Sequence, residues 1–333
     1  MLALAAGGAL AGGAARAQSE APSGIVSIEV RARAIPSFEA RDATRRRFGR
    51  LIFRGGLHLL SPHKDFGGLS SLRVEPGGER FLALTDKGFW LRGRITYDGA
   101  APSGIVEAEM APLLAADGRP IQRLRWYDAE ALAEDAGIAY VALERVHQIL
   151  RFDYGKLGLL APGQPMPVPP EFKRLRSNKG IEGLVVVPKG QPNGGALIAL
   201  AERGREEGDN IPGFIIGGRQ PGAFTVRRSG DYDITDCAVT PAGDLLILER
   251  HFSYLRGVAM RLRSVALGDI IPGAVLDGPI LVEADMGYQI DNMEALSVHR
   301  APNGETVLTL LSDDNFSALQ RILLLQFTLA DQV

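Results

Sequence analysis

One cysteine, Cys237, stands in 333 residues, so an intrachain disulfide and a multi-cysteine zinc site are both excluded. It lies in an apolar, strand-like run, where a small core side chain is expected rather than a nucleophile. No stretch of about 20 apolar residues is present to span a membrane as a helix. An excess of either charge is also missing. Lys plus Arg number 37 and Asp plus Glu 39, for a net charge of −2 and a pI near 6.3. That balance gives no footing for DNA, RNA or anionic lipid as a partner. The basic cluster Arg45-Arg46-Arg47 reads as a solvated loop. No Gly-x-Ser-x-Gly elbow exists for an α/β-hydrolase serine. His58, His63, His147, His251 and His299 never take the His-Glu-x-x-His spacing of a zincin. The pairs Gly194-Gly195 and Gly217-Gly218 lack a strand–GxxxxGK–helix setting and read as turns. What is present is a 46% hydrophobic, 23% charged chain, which is globular composition with enough apolar surface for a core.

The first residues do not read as fold. Met1 to Gln18 is rich in Ala, Gly and Leu, contains no acid, and ends in Ala15-Arg16-Ala17, a small-x-small cleavage signature. The expectation is a signal peptide over residues 1–17 and an exported, periplasmic or secreted protein, with a single domain over residues 24–330. Within that domain one pattern recurs five times: a short apolar run, a turn, and a second apolar run ending in acid. The runs open at Ser70, Glu130, Glu182, Asp236 and Glu294, in steps of 60, 52, 54 and 58 residues. Such a period fits one four-stranded propeller blade with a generous loop. Helical periodicity is scarce, with room for a turn or two at most over residues 128–136. The expected fold is therefore all-β, a β-propeller. Residues 24–60 and the chain-end strand Leu319–Leu329 are read as a part-blade closing the ring, which makes six blades the first count and five the alternative.

Tight hairpins bring the acid that opens the first strand beside the acid that closes the second. If the first strand of each blade is innermost, Glu130, Glu182, Asp236 and Glu294 converge around one mouth of the channel. Asp86, Glu144, Glu202, Glu249, Asp313 and Asp314 lie close by. Ten carboxylates cannot all stay ionised at short range without compensation. The basic residues that follow them, Lys87, Arg145, Arg203 and Arg250, are one remedy, either stitching blades together or holding a small anionic substrate. A hard cation such as Ca²⁺ is the other, taking about six to eight oxygen ligands from a set comprising Glu130, Glu182, Asp236, Glu294, Asp313, Asp314 and the carbonyl of Asn315. His251 follows Glu249-Arg250 at the expected mouth, as a solvated loop residue or a catalytic base.

Five pieces of the chain carry a resemblance: Phe66-Gly-Gly-Leu-Ser-Ser-Leu72, Gly180-Ile-Glu-Gly-Leu184, Leu248-Glu-Arg250, Asn292-Met-Glu-Ala-Leu296 and Ser312-Asp-Asp-Asn-Phe316. With them the sequence resembles the bacterial phytase-like family, described as having esterase-like activity of phytase, over about residues 60–330. The resemblance implies a propeller-like repeat whose Asp and Glu residues carry phosphomonoester or phosphodiester hydrolysis. Two positions depart from the repeat: Ser70 replaces an acid, and Ala295 stands where Gly183 stands. The expected function is a metal-assisted phosphate-ester hydrolase, monomeric, with Glu182, Glu294, Asp313 and His251 as catalytic candidates. The alternatives are a non-catalytic propeller that binds a ligand or protein partner, and a calcium-dependent lactonase.

Overall fold

The computed structural model describes residues 24–330 apart from Tyr127. The expected signal peptide lies outside the described residues. Among the described residues helix is confined to the turn Tyr154–Leu157 and four short 3-10 segments. Residues 128–136, where a helical turn was conceivable, contain the strand Ala129–Asp135.

Five sheets are arranged radially, antiparallel except for one parallel edge pair in each of the second and third. Their innermost strands, Leu69–Val74, Ala129–Asp135, Ile181–Val186, Asp233–Val239 and Asn292–Arg300, neighbour one another in a closed ring. The chain is thus a five-bladed propeller, and the count of six is corrected. The extra blade expected from residues 24–60 does not form because those residues have no innermost strand of their own. Instead Leu51–Leu60 pairs with the chain-end strand Ile322–Leu329, from Ile322 opposite Leu59 to Leu329 opposite Leu51, and Arg31–Ile35 adds outside it. N- and C-terminal segments therefore share the fifth blade, and the edge that Ile322–Leu329 would otherwise expose is paired.

Strands near the axis are buried on both faces, which is why they read as continuous apolar runs rather than alternating ones. Leu197–Ala201 is buried at every position. Larger side chains fill the wedges between blades farther out. Trp90 of the first blade meets Phe152 of the second edge-on at 5.1 Å, and Phe38, Phe48, Phe53 and Phe327 cluster beneath the fifth. Cys237 is fully buried, as a core residue, and burial pushes its thiol pKa up.

The channel itself is stapled. Arg73, from the innermost strand of the first blade, crosses to Asp236 of the fourth in a two-pronged pair at 2.9 and 3.0 Å. It also donates to the carbonyls of Leu184 in the third blade and Leu296 in the fifth. Asp236 further accepts the amides of Cys237 and Leu296, at 2.8 and 2.9 Å. A guanidinium buried among carbonyls and one carboxylate is satisfied in this way, and it ties blades one, three, four and five at the axis.

Candidate functional site: a carboxylate-lined mouth

Every innermost strand carries a β-bulge near its start, and the bulge decides which side chains reach the mouth. In the first blade Leu69 pairs with Thr85 and Ser71 with Leu84, leaving Ser70 unpaired. The same skip leaves out Glu130, Glu182, Thr235 and Glu294 in the other four. A bulge re-aims the extra residue while the ladder resumes around it, so these five positions are structurally equivalent. One pairing step farther toward the mouth stands a second set of equivalents: Asp86, Glu144, Glu202, Arg250 and Asp313. Gly68 is required where the first blade makes this contact, because its φ is +60° and a Cβ there would lie 2.3 Å from the Asp86 carboxylate.

The two sets bring most of the expected acids together. Oxygens of Asp128, Glu130 and Glu144 lie within 4.8 Å of one another, and so do those of Glu144, Glu182 and Glu202. Glu144 belongs to both groups. The side chains of Glu130 and Glu182 accept no hydrogen bond from any described residue, whereas Glu144 accepts the Gly180 amide at 2.9 Å and Glu202 the Lys179 ammonium at 2.7 Å. Burial, then the surrounding carboxylates, raises Glu130 and Glu182 well above the ordinary glutamate value. Burial raises Glu294 to about 7, with Arg250 at 3.3 Å pulling the other way. Asp313 is pushed up to about 8 by burial, with Glu294, Asp86 and Asp314 adding to the rise, and Asp86 to about 6, mainly by burial. One Asp86 oxygen is buried with no partner. A set of carboxylate oxygens, with Lys179 on Glu202 and Arg145 on Asp128 at its edges and Glu130 and Glu182 between them, fits a hard cation.

Several candidates stand elsewhere than the sequence suggested. Asp236 is not in the ring; it occupies the register of Gly183 and Ala295, next to the bulge, and is spent on Arg73. Glu249 is turned away from the mouth and fully buried against Arg261 and Arg263. Asp314 holds the amides of Gly68 and Phe316, and the Asn315 side chain faces Gln320 on an exposed turn. Lys87 sits over the Phe316 ring, 2.9 Å from its centroid. Arg145 pairs with Asp128 at 2.8 Å, and Arg203 clamps Asp233, joining the third blade to the fourth. Arg250 lies in the ring itself, between Glu294 and Glu202. His251 packs its ring near Tyr232 and sets Nδ1 3.1 Å from the Asp231 carbonyl.

Beside the carboxylates opens a cleft of about 460 Å³, lined by Lys179, Glu202, Arg203, Arg228, Arg250 and His251 among others. Glu202 is common to this cleft and to the second acid group. Lys179 and Asp128 were not singled out from the sequence, though each directly precedes an innermost strand, at Gly180-Ile181 and Ala129. The family model described as phytase-like, esterase-like activity of phytase, matches residues 64–316. The chain belongs to the phytase-like family. No curated protein matches it. Among solved structures it is similar to an α-L-arabinofuranosidase from Podospora anserina in complex with cellotriose, at 9% identity and a TM-score of 0.45, covering 81% of this chain and 94% of that one. A chain of the mitotic checkpoint complex aligns at 8% identity and a TM-score of 0.40, over 99% of both. A chain of the nidogen/laminin complex aligns at 10% identity and 0.39, over 79% and 85%.

Proposed function

We propose that this phytase-like propeller is an exported, metal-assisted hydrolase of phosphate esters, with its site at the carboxylate-lined mouth. The observation that carries the reading is Glu202: one carboxylate shared between an oxygen-only acid group and a cleft that presents Lys179 and Arg250. A bound cation and a bound anion would then lie side by side. Glu130, Glu144, Glu182 and Glu202 would hold the cation, with Asp128 alongside. A hard cation held there, such as Ca²⁺, would supply Lewis-acid chemistry: polarisation of a phosphoryl oxygen and a lowered pKa for water.

The remaining work falls to the chain's own groups. Lys179 and Arg250 bind and orient the phosphate ester, with charge-assisted hydrogen bonds to its oxygens. Glu294 and Asp313, whose pKa values of about 7 and about 8 leave them substantially protonated at neutral pH, hold a proton to hand to a leaving oxygen. His251 lines the same cleft and is the remaining acid–base candidate. Residues 1–17 would be the export signal, cleaved after Ala17, and residues 24–330 a single domain that works as a monomer. N-terminal sequencing of periplasmic protein checks the cleavage.

Metal analysis of the purified protein, melting curves with calcium or chelator, and a panel of phosphomonoesters and phosphodiesters test the main reading. Calcium should raise the melting temperature because it binds the native state alone. Glu182→Gln should remove most of that rise and the turnover of any ester the wild type cleaves. A calcium response without turnover of any ester would leave a binding propeller; no calcium response would remove the metal assignment.

A further inference from the structure

Outside the mouth, a groove runs along the third blade between its two outer strands, Ile211–Ile216 and Gly222–Val226, and the proline-rich segment 167–170. It consists of two hollows of about 240 and 340 Å³ that share Glu171, Phe214 and Ala223. Its lining is largely apolar: Phe214 where the hollows meet, Phe224 and Leu175 at one end, Val168 and Pro221 at the other. The end nearer Arg203 is ringed by Arg174, Arg176 and Arg205.

What sets these three arginines apart is their convergence on one apolar hollow. All are exposed, and among the described residues none of their guanidinium groups has a hydrogen bond or ion pair. Neighbouring arginines are engaged: Arg203 and Arg228 on Asp233, Arg250 on Glu294, Arg261 and Arg263 on Glu249. Glu171 is the one acid lining the groove, and it pairs with none of the three. Three unpaired guanidinium groups at one end of an apolar trough, in a chain of net charge −2, make a local positive site with an apolar extension. The complementary ligand has a single anionic head and an unbranched apolar body.

We propose that this groove binds a single-chain amphipathic anion, such as an alkyl phosphate or a fatty carboxylate, with its head on Arg174, Arg176 and Arg205 and its chain along Phe214. The site adjoins the cleft beside the proposed hydrolytic mouth, since Arg203 lines both, but does not depend on hydrolysis there. Calorimetric titration of the full chain with ethyl-, hexyl- and octylphosphonate, below micelle-forming concentrations and with chelator present, tests it. Phosphonates carry no ester bond to cleave, so the outcome is independent of hydrolysis.

Affinity should rise with chain length by up to about fourfold per buried methylene. Replacing all three arginines by glutamine should weaken octylphosphonate at least about tenfold with an unchanged melting temperature. Ala223→Trp, at an exposed position, should fill the trough and abolish the chain-length dependence. Octanoate with the same dependence would identify the head as any single anion; no octanoate binding would confine the site to phosphate heads, and either supports it. Affinity independent of chain length, unchanged in the triple variant, or lost in Arg250→Ala instead, overturns it.

Discussion

Blades three and four are built from nearly the same words and end in opposite chemistry. Each has a bulged innermost strand, a turn, and an apolar strand running into Glu-Arg: Ala201-Glu202-Arg203 in one, Leu248-Glu249-Arg250 in the other. In blade three the bulge residue is Glu182 and the residue opposite Gly180 is Glu202, so both present carboxylates to the mouth. In blade four the apolar run meets its ladder one residue earlier. Glu249 then pairs with Ile234, Arg250 with Asp233, and Thr235 becomes the bulge. Because alternate residues in a strand face opposite ways, a shift of one turns the glutamate into the protein and the arginine toward the mouth. Blade four thus supplies a cation where its neighbours supply anions, and the ring of acids gains a side on which an anionic substrate can be held.

The largest expected effect separates the two glutamates. Glu249 is fully buried between two arginines that are themselves 3% and 2% exposed, so Glu249→Ala would leave Arg261 without a carboxylate and Arg263 with only the longer pair to Asp277 at 3.5 Å. The expected cost is about 3–5 kcal/mol, read from urea unfolding. Glu182 has no partner and is repelled by its neighbours, so Glu182→Gln should cost less than about 0.5 kcal/mol in chelator. Equal costs at the two sites would break the comparison.

A second effect comes from pH. Asp86, Glu294 and Asp313 are raised to about 6, 7 and 8 from values of 3.8, 4.5 and 3.8, so the folded state binds protons that the unfolded state has released. Their stabilising contribution is complete below pH ~4 and is lost as pH climbs through 6, 7 and 8. In chelator, stability should therefore fall between pH 5 and 8.5, by a few kcal/mol in aggregate. A metal-free protein that gains stability over this range would show that the acids are not crowded. Arg250→Gln sharpens the test, since it removes the cation beside Glu294. It should cost about 1–2 kcal/mol at pH 8 and less at pH 5, where Glu294 is protonated.

Much of this was legible in the sequence. The fivefold period showed the propeller, and three of the five bulge residues, Glu130, Glu182 and Glu294, were read as the inner ring. The blade count was not legible, because residues 51–60 look like a hairpin strand whether they pair within a blade of their own or with Ile322–Leu329. Blade four misled for a similar reason: matching Leu248-Glu249-Arg250 by letters to Ala201-Glu202-Arg203 hides the register. The signal that could have revealed it lies on the next strand. Arg261 and Arg263 stand at alternate positions in an otherwise apolar run, which announces a buried acid facing them. The Arg73–Asp236 staple left no local signal, since its partners are 163 residues apart and meet only across the axis.

The smallest effect bears on the two bulge positions that lack a carboxylate. Ser70 Oγ donates to the Ala129 carbonyl at 2.6 Å, and Thr235 Oγ1 to the Met293 carbonyl at 3.0 Å. In both cases the acceptor directly precedes the ring glutamate of the next blade, Glu130 or Glu294. The hydroxyls thus steady their acidic neighbours and have their own proton committed. Thr235→Val keeps the shape and removes that bond, leaving a buried carbonyl without its partner, at a cost of about 1 kcal/mol. Because the role is one of support, the loss should be the same in chelator and in saturating calcium. If Thr235 Oγ1 is instead a ligand of the cation, the loss will be larger in calcium, and the melting-temperature rise on adding calcium will shrink. Unfolding curves of Thr235→Val and Ser70→Ala under both conditions decide between the two, and a calcium-dependent loss would make blade four part of the metal site rather than its cationic counterpart.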